Sequence, residues 1–222
     1  MGSNGSGKST RTYFLVNYLI SKFEYSVIRG KIERKGKEPK QEDIGFLFEN
    51  GWFVLGRFAK GGTQWVSLDT AMFSNWEQRL EKIPALAKQY PEITTIFMEG
   101  YFNNRSKRGD IPSWEANGCD EVHLIASYYD DITEFLQRTN ERTGKTRGLD
   151  WAENSSGWSD NELFKTLLIY YKNNMGASEN NLVKHIDFKE SRDALVKMYF
   201  NENWEIVNSI KETAPSKDTE WF

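Results

Sequence analysis

Ten residues at the start of the chain constrain its fold more than anything after them: Met1-Gly2-Ser3-Asn4-Gly5-Ser6-Gly7-Lys8-Ser9-Thr10. Gly2-x-x-x-x-Gly7-Lys8-Ser9 fits the phosphate-binding loop pattern G-x-x-x-x-G-K-[ST]. Glycines let the backbone close into a concave turn whose N–H groups point inward. Those donors and the positive end of the following helix hold phosphates. In this reading Gly2, Ser3, Asn4, Gly5, Ser6, Gly7, Lys8, Ser9 and Thr10 contact a nucleotide. Lys8 reaches its β- and γ-phosphates, and the Ser9 hydroxyl takes a place on Mg²⁺. A flexible Gly/Ser leader has no need of Gly-Lys-Ser-Thr in this register. A loop of this kind follows a buried strand. Only Met1 precedes Gly2, so the expectation is a sheet lacking its usual first strand.

The chain has 222 residues, enough for one core with an elaborated insertion. It has no apolar run of bilayer-spanning length and no secretory leader. Its lone Cys119 cannot close an internal disulfide. These features point to a reducing cytoplasm and away from a membrane. Net charge is −3, so nucleic-acid binding is not announced by overall basicity. Cations are nevertheless crowded between Arg29 and Lys40. Eight Trp, ten Tyr and fourteen Phe make the chain rich in aromatics; most are expected in the core, with a few left for stacking on bases.

Phe14, Leu15, Tyr18 and Leu19 recur at helical spacing and predict a helix over about 8–23. Residues 25–31 read as a strand, followed by a basic turn with Gly36 and Pro39. Asn50-Gly51 between the apolar runs 44–49 and 52–58 is a strong hairpin signal. The stretch 25–66 is therefore expected as an antiparallel β insertion, with 63–68 a further short strand. A helix over 74–90 is expected to kink at Pro84. The apolar run 93–98 reads as a parallel strand covered on both faces. Further expectations are a polar loop at 103–110, a strand at 121–126 and a helix at 130–142. A Gly/Ser/Trp-rich loop at 144–159 precedes a helix at 161–173. A strand at 182–188, a helix at 191–208 and a loose tail from Lys211 complete the chain. Strands alternating with helices from residue 93 predict an α/β domain with a mostly parallel sheet.

Three constellations carry chemistry. Glu99 ends the strand at 93–98, where α/β sheets bind ligands, and is placed to hold Mg²⁺ opposite Ser9; a solvated strand-end glutamate is the plainer reading. Asp69 ends the strand Val66-Ser67-Leu68 and is a candidate base for an acceptor hydroxyl, or else an N-cap. Arg138 and Arg142 share a helix face, and Arg147 follows in a glycine-bearing loop over 143–159 that would act as a lid. Such cations stabilise charge on a transferring phosphoryl group; the alternative is a solvated basic helix end. Arg105, Lys107 and Arg108 would meet an acceptor phosphate, or form a solvated loop. His123 and His185 lie in strands and read as structural.

The phosphate loop, the strand end Ile96-Phe97-Met98-Glu99-Gly100 and Arg138-Thr-Asn-Glu-Arg142 together resemble the P-loop kinases of nucleosides, nucleotides and polynucleotides. The strand end looks like that of uridine-kinase types, and Arg-x-x-x-Arg with a lid looks like nucleotide and polynucleotide kinases. The resemblance covers the first helix and about 93–200. The divergence is similar to that of bacteriophage-encoded kinases, one group of which phosphorylates 5-hydroxymethyluracil within DNA. The resemblance implies a three-layer P-loop NTPase domain over 1–222, with ATP and Mg²⁺. The catalytic set would be Lys8, Asp69, Arg138, Arg142 and Arg147. The loop is also similar to that of ABC-type and chromosome-maintenance ATPases, but their Ser-Gly-Gly signature and Asp-Glu strand end are absent from the sequence. The expected activity is phosphoryl transfer from ATP to a nucleotide or nucleic-acid acceptor, with a hydroxyl acceptor favoured. A nucleoside monophosphate kinase, a non-catalytic nucleic-acid-binding module and a switch ATPase are the alternatives.

Overall fold

The computed structural model describes residues 6–34, 37–59, 64–66, 76–99, 111–205 and 216–218. The chain divides into two compact units, Met1–Lys8 with Phe102–Ser191 and Ser9–Tyr101 with Arg192–Phe222. Among the described residues no helix is long and apolar enough to cross a membrane.

The second unit is built on α1 (Lys8–Lys22), whose residues from Ser9 belong to it, and on a sheet of β1 (Tyr25–Arg34), β2 (Lys37–Phe48) and β3 (Trp52–Leu55). β1 and β2 pair antiparallel from Tyr25↔Phe48, with an irregularity after Ile28. Asn50-Gly51 reverses the chain between β2 and β3 as expected, with Gly51 at φ 85°, a conformation open to glycine at little cost. β3 also pairs in parallel with β6 (Thr95–Met98), from Trp52↔Thr95 to Leu55↔Met98. The Gly51 carbonyl accepts from Thr94 N at 2.9 Å, so the hairpin turn also seats the entry to β6.

The strand order is β6-β3-β2-β1-β9, where β9 (Ser216–Asp218) pairs in parallel with β1. The sheet is thus mixed, not mostly parallel. β3, within the stretch expected as an antiparallel insertion, is hydrogen-bonded into the same sheet as the parallel strand before Glu99. All four residues of β6 are half-buried, and among the described residues the run expected as a covered strand lies at the edge of the sheet. β9 falls in the stretch expected to be a loose tail. Past β3 the chain bends at Gly56 into β4 (Arg57–Phe58), which pairs with β5 (Trp65–Val66). Arg57 makes an ion pair with Glu42 of β2. Phe46, Phe58 and Trp65 pack edge to face and tilted around this corner, with Tyr13 of α1 against Phe58 at 5.8 Å. α2 (Trp76–Gln89) carries Pro84 inside it.

The carboxyl half of α1 is clasped by the C-terminal part of the same unit. α7 (Ala194–Phe200) stops at Asn201, in the left-handed region at φ 54°, instead of running to 208. Asn tolerates that conformation better than most residues. The chain then turns so that Phe200 and Trp204 flank Tyr18 at 4.8 and 6.0 Å between ring centres. The Tyr18 hydroxyl donates to Glu202 Oε1 at 3.0 Å, and Lys22 Nζ lies 3.1 Å from Glu202 Oε2. Burial of Tyr18, and secondarily this carboxylate, pushes its hydroxyl up to about 12.

The first unit holds α3 (Ile111–Ala116), β7 (His123–Ala126), α4 (Ile132–Thr143), α5 (Leu149–Glu153), α6 (Ser156–Lys172) and β8 (Leu182–His185). β7 and β8 pair in parallel from His123↔Leu182 to Ala126↔His185. α4 is capped by the Asp131 side chain at one end and by Gly144 at the other. The Glu115 carboxylate of α3 accepts from Ser178 N, Ala177 N and Asn181 Nδ2, fixing the approach to β8 and lowering its own proton affinity. Tyr129, Phe135 and Ala152 form a core with Ile132, Leu136, Trp158 and Phe188 against it. The expected lid loop over 143–159 is largely helical: only 145–148 lie between α4's cap and α5, and α6 begins at Ser156, capped by Ser155. Buried Ala152 and half-buried Trp158 tie the segment to the core, and that packing overrides the loop-like Gly/Ser composition.

Gly45 lies where β2 meets β3, and a Cβ there would fall on the buried Phe53 ring and 2.8 Å from the Val54 carbonyl. Gly45→Ala is expected to cost about 1–3 kcal/mol through overpacking, read as a lower urea midpoint; an unchanged midpoint would refute the close approach. The Tyr18 clasp predicts a sign in pH. A group whose proton is held more tightly in the folded state contributes stability below its unfolded value, near 10 for tyrosine, and loses it as pH rises through about 12. Phenolate absorbance should show a late-titrating tyrosine component that Glu202→Gln brings earlier.

Candidate functional site

Two pieces of the glycine-rich motif at the start of the chain are described, one in each unit. In the first unit Ser6 is fully buried, and its carbonyl accepts from the Ser127 hydroxyl at 2.7 Å. Ser127 directly follows β7, so the loop is tied to the carboxyl end of a parallel strand, the end at which α/β sheets bind ligands. Gly7 sits at φ 84°, the left-handed position that the second glycine of the motif supplies. Lys8 opens α1 and is half-buried. Gly2, Ser3, Asn4 and Gly5 lie outside the described residues.

In the second unit the Ser9 hydroxyl donates to Glu99 Oε1 at 2.5 Å. The two residues are ninety apart in sequence and meet because α1 packs by its first turn at the end of β6. Glu99 is only 6% exposed, so it is not the solvated strand-end glutamate that sequence alone allowed. A buried carboxylate needs a donor or a cation, and here a donor is supplied by the serine of the motif. Both are hard oxygen ligands of the type Mg²⁺ takes. Among the described residues no group of three or more His, Cys, Asp or Glu could hold a metal. Thr10 is exposed.

Sequence reasoning missed two buried cations of this unit. Arg11 is 4% exposed and Arg79 is 7% exposed. The signal lies in the spacing: Arg11 is four residues before Leu15, and Arg79 four before Ile83, so each arginine fills a place on the buried stripe of its helix. Arginine is seldom so buried unless its guanidinium is partnered.

In the first unit the strand ends carry aromatic groups. The Tyr128 and His185 rings, after β7 and at the end of β8, are stacked at 3.7 Å and 5°. Asn161 of α6 is fully buried and bridges the backbone of Tyr129, accepting from its N at 2.8 Å and donating to its O at 2.7 Å. Arg138 is exposed, ion-paired to Glu141 at 3.1 Å, and lies 5.8 Å from the centre of the Phe188 ring. Arg142 is exposed on the same helix. Arg147 is not on an open lid: its guanidinium lies over the Trp151 ring at 4.1 Å. His123 meets Glu121 at 2.6 Å and serves the strand. Asp69, Arg105, Lys107 and Arg108 lie outside the described residues.

Compared with protein-family models, curated proteins and solved structures, the chain matches none.

The Asn161 bridge predicts a stability effect. Asn161→Ala removes the side-chain partner of both the N–H and the C=O of Tyr129 in a buried place, which is expected to cost about 2–4 kcal/mol for the two bonds. Chemical denaturation measures it, and a loss below about 0.5 kcal/mol, that of an ordinary surface change, would refute the bridge.

Proposed function

We propose that the chain is an ATP- and Mg²⁺-dependent phosphotransferase acting on a nucleotide or nucleic-acid acceptor. The observation that carries the reading is the Ser9–Glu99 hydrogen bond. It joins the hydroxyl that the loop motif assigns to the metal to a buried acid at the carboxyl end of a parallel strand. The left-handed Gly7 adds support, because it is the backbone state that lets loop amides turn toward an anion.

In this reading Lys8 and the loop amides hold the donor phosphates. Ser9 and Glu99 would hold the ion, which would supply positive charge to offset that of the phosphates. Burial of Glu99 keeps that carboxylate in place for its ligand. Asp69 orients the acceptor hydroxyl and takes its proton. Arg138 and Arg142, one helical turn apart, offer positive charge to the transferring group, while Arg138 beside Phe188 also provides a planar pair on which a base would stack. The expected setting is the cytoplasm.

Label transfer from γ-labelled ATP tests the proposal. The acceptors are nucleosides, nucleoside monophosphates, 5′-hydroxyl oligonucleotides and DNA with plain or hydroxymethylated pyrimidines. Lys8→Ala is expected to lower turnover by about 10²–10³-fold, and Glu99→Gln to raise the Mg²⁺ requirement by about 10–100-fold. Asp69→Asn should remove turnover on a hydroxyl acceptor without weakening ATP binding. Label transfer indifferent to Lys8 would overturn the assignment. Release of inorganic phosphate with no labelled acceptor would favour a switch ATPase instead.

A further inference from the structure

We propose that the corner between α4 and α5 docks single-stranded nucleic acid, with Trp151 and Arg147 as a stacking platform and Lys145 as a phosphate contact. The choice of ligand rests on the phosphotransferase reading, and it selects a polynucleotide over a free nucleoside or nucleotide as the acceptor.

The corner is built in advance of any ligand. Asn140 of α4 holds the Arg147 backbone from both sides, donating to its carbonyl and accepting from its N–H, each at 3.1 Å. The Arg147 guanidinium lies over Trp151, whose indole lies at 3° to the buried Phe135 ring with 6.3 Å between centres. Phe135, Trp151 and Arg147 thus form a series of flat groups running from core to surface. A nucleobase is the flat, electron-rich group that continues such a series, since bases stack on guanidinium planes and on aromatic rings alike.

Exposure and charge agree with this. Trp151 is 38% exposed and Leu149 is 46% exposed, although both are large and apolar. Neither Arg147 nor Lys145 has a carboxylate within ion-pair reach among the described residues, whereas Arg138 on the same helical arm is satisfied by Glu141. Two cations with no ion pair among the described residues, beside an exposed indole, fit a strand that carries phosphates and bases in alternation. Two exposed apolar side chains are a small area for a protein partner. Asp150 and Glu153 on α5 moderate the positive charge, so stacking is the larger part of the attraction and the salt dependence is shallow.

The test is fluorescence anisotropy of a labelled single-stranded oligonucleotide of mixed sequence, with no ATP present. The wild-type chain is expected to bind with a log–log salt slope of about −0.7, the value for the one phosphate that Lys145 contacts. Trp151→Ala should weaken binding about tenfold, and Trp151→Phe should restore most of it. Lys145→Glu should reduce the slope by about 0.7. Lys145 is exposed at the surface, so its variant carries the test even if the Trp151→Ala chain proves unstable. Absence of binding, or binding unmoved by both Trp151→Ala and Lys145→Glu, overturns the proposal; so does self-association through this face in gel filtration that Trp151→Ala abolishes. The two proposals fail separately. Trp151-dependent binding without phosphate transfer leaves the surface and removes the kinase, and transfer to free nucleosides without oligonucleotide binding does the reverse.

Discussion

The second unit depends on one short strand being paired on both edges. Trp52–Leu55 is antiparallel to β2 on one side and parallel to β6 on the other. The turn that brings it back, Asn50-Gly51, presents the Gly51 carbonyl to Thr94 and Thr95 at the start of β6. A local hairpin and a strand far along the chain are therefore joined through the same peptide. Phe53, Val54 and Leu55 are fully buried, so the pairing is backed by apolar burial of about 1.5–3 kcal/mol for each side chain. With β6 seated in this register, Glu99 emerges at its carboxyl end, where Ser9 meets it.

A different device organises the first unit. Its two described strands are short, four residues each, and a pair of that size does not stand alone. Polar side chains fix the backbone just past the end of β7. Asn161 satisfies both backbone groups of Tyr129, and Ser127 binds the carbonyl of Ser6. Such buried hydrogen bonds contribute modestly when made and cost more when one partner is lost, so they define a single geometry at the strand ends. The Tyr128–His185 stack sits at the same ends.

Where sequence and structure part, long-range packing is the cause. Gly and Ser between 144 and 159 read as a mobile loop, yet Ala152 and Trp158 pack on the Tyr129–Phe135 core and draw the segment into α5 and α6. The helical pattern past Phe200 reads as continuous, yet Asn201 turns left-handed so that Glu202 and Trp204 can reach α1. Arg11 and Arg79 stand on apolar stripes and escape notice because a stripe is recognised by its apolar members.

By itself the sequence determined the local features: the glycine-lysine-serine loop, the first helix, the Asn-Gly reversal and the apolar strand that ends in Glu99. Each is written within a few neighbouring residues, by dihedral freedom or by periodicity. Only the tertiary structure decided which strands share a sheet, that Glu99 is buried against Ser9, and that Arg147 rests on Trp151. Those outcomes depend on groups distant in the chain excluding water together, and no local pattern carries that information.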